Sequence, residues 1–438
     1  MADVTCGSLD QKLLDMEGIW IQSDQPCSDH EIFLCEKVTY CCKTIYCRLV
    51  PDPDTGTDTD TDTDSQTSSD TSTVSECQTG NTTIEWHPNP PSDYDCGPGC
   101  KQVVFEEPNT IVGYDVKGNY IAYASLNDPV GQARIVDLQS NCTAEVVHPE
   151  FDVEQSGFGW PNIDGERVVF RATKYAEVTI SELFLIDILT GDWQRHLTNE
   201  SPPNPFYSYR QLGLQGNIVA FFRKDDDGAN GQAFYYSLVD NSMTTISSPD
   251  KELWGMTISG DYVVWTDNQW GSADGPNADI YAHRISAGVT WNLSDDPAGQ
   301  FAPRIDGTKV VWTDLRHSGG SYTEQGTWDH ADIFMYDFTA EQLTEITNQD
   351  WLQLYPDIEG DRIVWQDSRD CFQPNNTYDW SNIHIWMYDL STGQEHQITD
   401  LPGAQSEARI DGDRVFFLAA HPDGYYAIFM QDLAALGL

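Results

Sequence analysis

The chain has 438 residues with 23 Lys+Arg against 70 Asp+Glu, a formal charge of 23 − 70 = −47. That surface repels phosphate backbones and anionic lipid, so nucleic-acid binding and docking to membrane surfaces are excluded as leading functions. Apolar residues at 39% and aromatics at 12% support a substantial core, and no apolar run of about 18 residues is present to insert in a membrane.

In chain order, residues 1–50 come first. Six of the eleven cysteines crowd there: Cys6, Cys27, Cys35, Cys41, Cys42 and Cys47. The spacing contains no C-x2-C knuckles for zinc, and so short a segment holds little core, so a small disulfide module is expected, with its pairing left open. The first residues, MADVTCGSLD, show no basic and apolar leader. Residues 51–95 follow as an Asp/Thr/Ser-rich stretch with no Lys or Arg between Arg48 and Lys101, expected to be a self-repelling linker. Cys96 and Cys100 flank Gly-Pro-Gly and are expected either to pair locally or, one of them, to reach Cys142. Cys371 is not expected to join Cys142. With an odd cysteine count, at least one thiol stays free or joins two chains.

Residues 96–438 repeat. Gly118, Gly165, Gly216, Gly260, Gly307, Gly360 and Gly412 each sit in an Ile-x-Gly-like turn followed by a strand of the type VVW, at spacings of 44–53 residues. A second strand motif such as DIFMYDF or HIWMYDL follows each turn, then a short strand ending in Leu-Thr or Ile-Thr. Four antiparallel strands per repeat read as a propeller blade. The expected fold is therefore all-β, a seven-bladed propeller of four-stranded antiparallel blades. The seventh repeat lacks its last strand, and strand 102–106 is expected to supply it and close the ring.

The phrasing P-x-I-x-G-D-R-I-V-W-x-D-x-R, then D-I-Y-x-Y-D-L-x-T-G-x-x-x-x-I-T, resembles the TolB-like β-propellers, in the version found in surface proteins of methanogenic archaea and many bacteria. The resemblance covers about residues 100–438 and is strongest at 303–316, 332–347 and 356–399. Blades one to three depart from it by losing Trp-x-Asp, and it says nothing of residues 1–95. It implies a fold rather than an activity, because propellers host many functions.

Loop lengths place the working face. The connections 267–279, 314–332 and 367–383, between second and third strands, are long and share one face of the disc with the inter-blade links. They carry Trp270, Trp328, Trp380 and Tyr322, aromatic rings suited to stacking on sugars. Asp314, Arg316, Asp367 and Arg369 occupy matching repeat positions, either as a polar ligand ring or as ion pairs that hold the blades. Asp225, Asp227 and Asn230 offer hard oxygens suited to calcium. Sequons at Asn81, Asn141, Asn199, Asn292 and Asn375 mark glycosylation candidates.

Catalytic signals are thin: neither G-x-S-x-G nor H-E-x-x-H occurs, and no catalytic residue is assigned. The leading expectation is a secreted, non-enzymatic surface or adhesion protein whose partners are further copies of itself or cell-surface glycans and proteins, assembling through its N-terminal module. Alternatives are a propeller-type polysaccharide lyase or glycan binder recruiting His317, His330 and Tyr322, and a periplasmic interaction scaffold.

Overall fold

The computed structural model describes 84–89, 94–104, 110–127, 130–146, 156–174, 180–198, 207–225, 231–249, 252–268, 278–318, 330–371, 379–421 and 425–438, together with strands at 20–23, 35–40 and 44–49. The chain divides into two compact units, Met1–Thr73 and Val74–Leu438. In the first, Trp20–Ser23, Cys35–Tyr40 and Thr44–Leu49 form an antiparallel sheet with Thr44–Leu49 in the middle. Of the six cysteines expected to staple this unit, Cys6, Cys27, Cys41 and Cys42 lie outside the described residues. So do the side chains of Cys35 and Cys47.

The second unit is an all-β propeller built from antiparallel meanders, but seven separate four-stranded blades do not form. Five sheets stand alone as single blades. Four of these have four strands, and one, carrying 110–146, has five. The remaining strands, Gln300–Asp306 through Gln394–Gln397, make one eight-stranded sheet. Its two meanders are joined by a short parallel pairing, His330 with Trp351 and Ala331 with Leu352. The physical reason is local. The inner strand Trp351–Glu359 begins beside the third strand of the preceding meander, and its first backbone groups are satisfied there.

The ring closes as a chain-end pairing. Cys100–Val104 lies antiparallel to Tyr426–Asp432, two residues earlier than the strand expected at 102–106. The Cys96–Cys100 disulfide, with Cα atoms 5.4 Å apart, and a hydrogen bond from Asp432 N to Gly99 O of 2.9 Å anchor that seam. A second departure falls inside the stretch expected to be linker. Ile84–Pro88 forms the fifth strand of the first blade, pairing antiparallel with Cys142–Val146. Ile84, 2% exposed, packs with Ala144 and Phe170, and that burial offsets the cost of ordering the segment.

The apolar cores lie between neighbouring meanders. Trp265, Trp312 and Trp365 fill the same repeat position and are all fully buried, each in the core shared with the preceding meander. This explains the VVW run: the second strand is covered on both faces.

The Ile-x-Gly turn also has an inter-blade role. At Gly360 φ is +61°, a conformation that favours glycine, and no atom lies near the missing side chain, so backbone geometry rather than space requires it. Its N–H donates to Asp306 Oδ2 of the preceding meander at 2.7 Å, and Lys309 Nζ donates to its carbonyl at 3.0 Å. Gly216 with Asp164 and Arg167, and Gly412 with Glu359 and Arg362, repeat the arrangement. Gly118 with Asp411 and Arg414 carries it from the last meander to the first. The acid before the glycine and the base after it thus form a hydrogen-bonded belt around the tight-turn face.

Candidate metal centre on the long-loop face

Lys309–Asp314 and His330–Asp337 pair with Asp314 opposite Asp332, and Gln342–Glu345 pairs on the other side with Glu345 opposite Phe334. A turn closed by Ser318 N donating to Leu315 O at 2.8 Å brings His317 back over the strand ends. His317 Nδ1 then lies 2.8 Å from Asp332 Oδ2 and 3.6 Å from Glu345 Oε1. One donor atom from each residue falls within 4.8 Å of the others, close enough to share a cation.

Asp332 is fully buried, whereas His317 and Glu345 are exposed. Its other oxygen, Oδ1, is held from behind. Thr347 Oγ1 donates to it at 3.4 Å, and the Gln353 amide, oriented to satisfy both neighbours, donates to it at 3.2 Å and to Ala331 O at 3.0 Å. Burial pushes the Asp332 carboxyl up from its ordinary range, and the hydrogen bond and charge of His317 pull against that rise. His330 lies two residues before Asp332 on the same strand, with Nε2 3.5 Å from Asp350 Oδ1. One imidazole nitrogen with two carboxylates suits a divalent transition ion such as manganese or zinc better than calcium, which takes oxygen ligands.

The tryptophan–aspartate–arginine residues make a different unit. Asp314, fully buried, accepts from Trp312 Nε1 at 3.0 Å, Arg316 N at 2.9 Å, Arg316 Nε at 2.9 Å and Arg316 Nη2 at 2.7 Å. Asp367 does the same with Trp365 Nε1 at 2.8 Å, Arg369 N at 2.8 Å and Arg369 Nη2 at 2.7 Å. The guanidinium groups lie over aromatic rings, Arg316 at 4.0 Å from the Phe334 centroid and Arg369 at 3.8 Å from that of Trp386. These four residues are brought together as two internal pairs.

Trp270, Trp328 and Tyr322 lie outside the described residues, as do Asp227 and Asn230 and the side chains of Asp225 and Trp380. The backbone of Trp380 opens a 3-10 turn at Trp380–Asn382, capped by Asp379. Among the sequons, Asn141 is exposed in a turn and Asn292 Oδ1 accepts from Ser294 N and Asp295 N, both at 3.1 Å. Asn81, Asn199 and Asn375 lie outside the described residues. Cys142 is disulfide-bonded and Cys371 is a free, buried thiol. No helix among the described residues is long and apolar enough to cross a membrane.

Sequence reasoning picked out His317 and His330 by type. It missed Asp332 and Glu345, whose nearness depends on strand register. The available signal was the third residue after Trp-Thr-Asp, a histidine only in Trp312-Thr-Asp-Leu-Arg-His317.

No protein-family profile matches the chain, and no curated protein matches it significantly in sequence. Among solved structures it is similar to an oligogalacturonate lyase in complex with manganese, with TM-score 0.56 and 10% identity over 81% of this chain and 99% of the lyase. The β-propeller domain of the trilobed protease from Pyrococcus furiosus gives TM-score 0.54 and 13% identity, covering 75% and 94%. An acylaminoacyl peptidase from Pyrococcus horikoshii gives TM-score 0.54 and 13% identity over 74% of this chain but only 51% of the peptidase. At these identities the likeness establishes the propeller fold.

Proposed function

We propose that this protein is a secreted, non-enzymatic binding propeller whose long-loop face holds a divalent transition ion at His317, Asp332 and Glu345, and that the ion's open positions capture acidic glycans. The His317–Asp332–Glu345 cluster carries the reading: three donors, one rigidly held and two facing solvent, leave coordination sites for a ligand. A bridging cation also resolves how a chain of charge −47 engages an anionic polymer. The Cys96–Cys100 disulfide supports an oxidising compartment. Self-association through residues 1–50 belongs to the same proposal, and deletion of 1–76 with measurement of particle size tests it.

The manganese-bound lyase covered over 99% of its length suggests polygalacturonate as the first glycan to try. Calorimetric titration with Mn²⁺ should show one site that His317→Ala removes, and retention on immobilised polygalacturonate should be lost in EDTA. Mn²⁺ binding unchanged in His317→Ala overturns the site. Appearance of an unsaturated uronate product would replace capture by cleavage.

A further inference from the structure

The inner strands of the meanders share a β-bulge. Their pairing with the second strand slips between Phe301 and Arg304, Leu354 and Asp357, Ser406 and Arg409, and Ile111 and Gly113. Ala302, Tyr355 and Glu407 take φ of +54°, +53° and +52° there. A bulge of this kind re-aims the side chains that follow it. Arg304 is electrostatically coupled to Arg409, Asp357, Asp115 and Glu407, which sit on other inner strands. Direct contacts join the same strands: Asp357 lies 3.8 Å from Arg304 Nε and accepts from Ile410 N, and Tyr114 Oη donates to Glu407 O.

We infer that the bulged inner strands bind a small oxyanion, a carboxylate or a phosphate, between the guanidinium groups of Arg304 and Arg409. The donors there are underused. The nearest carboxylate to Arg304 is Asp357, with Oδ1 3.8 Å from Nε, too long for a hydrogen bond. Arg409 donates through Nη1 to Ala408 O at 2.8 Å and sits over the Tyr114 ring at 5.6 Å, while its Nε is shielded from water with no acceptor.

The acids nearby are engaged elsewhere. Asp115 Oδ2 accepts from Asn162 Nδ2 at 2.6 Å and Ile163 N at 3.0 Å, and Asp357 Oδ2 accepts from Ile410 N at 3.0 Å. Burial pulls the Arg304 pKa down and the charge of Arg409 adds to that, whereas at Arg409 burial is outweighed by the charges of Asp357, Tyr114, Glu407 and Asp115, which hold its pKa up. An oxyanion bridging them screens the charge of Arg409 felt by Arg304 and supplies acceptors to Arg304 and to Arg409 donors other than Nη1. Glu407, coupled to both arginines, is the internal competitor for that position.

The test is calorimetric titration of the full chain in EDTA, with D-galacturonate and, separately, inorganic phosphate. EDTA silences the long-loop metal centre, so failure of that centre leaves this result untouched. One saturable site is expected with at least one probe, and the probe that saturates identifies the carboxylate or the phosphate as its ligand. Arg304→Gln and Arg409→Gln should each weaken it about tenfold or more, as loss of a charge-assisted contact does. Glu407→Gln should tighten it, which a purely structural salt-bridge cluster does not predict. Circular dichroism confirms that each variant is folded, and Arg304→Lys, keeping charge without the fork, should fall between wild type and Arg304→Gln. No saturable heat with either probe, or unchanged affinity in folded Arg304→Gln, overturns the inference.

Discussion

Replacing Asp314 with alanine tests whether the tryptophan–aspartate–arginine unit is a structural clamp. Asp314 is fully buried and accepts four hydrogen bonds, three of them from Arg316 and one from Trp312 Nε1. The substitution strands the Trp312 N–H in a fully buried ring system, a loss of about 1–3 kcal/mol. The Arg316 side chain, 21% exposed, recovers part of its solvation, so its share is discounted to about 1–2 kcal/mol. The sum, about 2–5 kcal/mol, overlaps the range of about 3–5 kcal/mol for breaking one partner of a buried ion pair. Urea denaturation followed by tryptophan fluorescence measures it, with Asp367→Ala as a second site expected to behave alike because Trp365 and Arg369 make three of the four corresponding contacts. The double variant Asp314→Ala/Arg316→Ala should show about 1–2 kcal/mol of coupling. A cost below about 1 kcal/mol, or no coupling, refutes the clamp and leaves these side chains free to serve a ligand.

Two further outcomes follow from the same geometry. Asp279 is 3% exposed, and burial, with smaller contributions from Asp295 and Asp267, pushes its carboxyl from 3.8 to about 6. A raised acid penalises the folded state above its folded pKa and not below its unfolded one. Asp279→Asn should therefore leave stability unchanged near pH 4 and raise it at pH 8, by at most about 3 kcal/mol for ~2 units at ~1.4 kcal/mol each. Equal effects at both pH values contradict the assignment. Arg414→Ala removes the belt contact to Gly118 O that joins the last meander to the first, together with its pairing to Asp411 in its own turn. It should cost about 1 kcal/mol and speed hydrogen exchange in Thr110–Lys117, and unchanged exchange there shows that the belt does not hold the closure.

What the sequence disclosed and what it hid divide along one physical line. Features set within a few residues were legible: the glycine at φ +61° in Ile358-Glu-Gly360, the doubly covered Val-Trp strand, and the Cys96–Cys100 pair across Gly-Pro-Gly. Features set by which backbone meets which were not. Whether Trp351 and Leu352 bond to His330 and Ala331, fusing two meanders into one sheet, depends on the path between them, and no side chain announces it. Ile84–Pro88 reads as the tail of a polar stretch until Cys142–Val146 offers it an edge. Arg304 and Arg409 occupy the position before the repeat isoleucine, where Asp357 and Asn162 also stand, and the bulge that precedes them follows from strand register rather than from residue type.

The aspartates of the long-loop face show how one repeat yields both a scaffold and a site. Asp314 and Asp332 face each other across paired strands, and both are fully buried. An arginine two residues after Asp314 reaches back and neutralises it, so its charge is spent inside the blade. Asp332 is followed by Ile333 and Phe334, whose side chains cannot neutralise it, so its compensation comes from outside its strand, from His317. A carboxylate buried to that degree without an arginine is costly to keep charged. In Asp367 the arginine pairing recurs, while the residue opposite is His384, which pairs with Gln405 Oε1 at 2.8 Å. Replacement of Asp332 by histidine carries the neighbouring blade's arrangement into this one and is expected to abolish the Mn²⁺ heat proposed for His317, Asp332 and Glu345; an unchanged titration refutes the acid's part in that proposal.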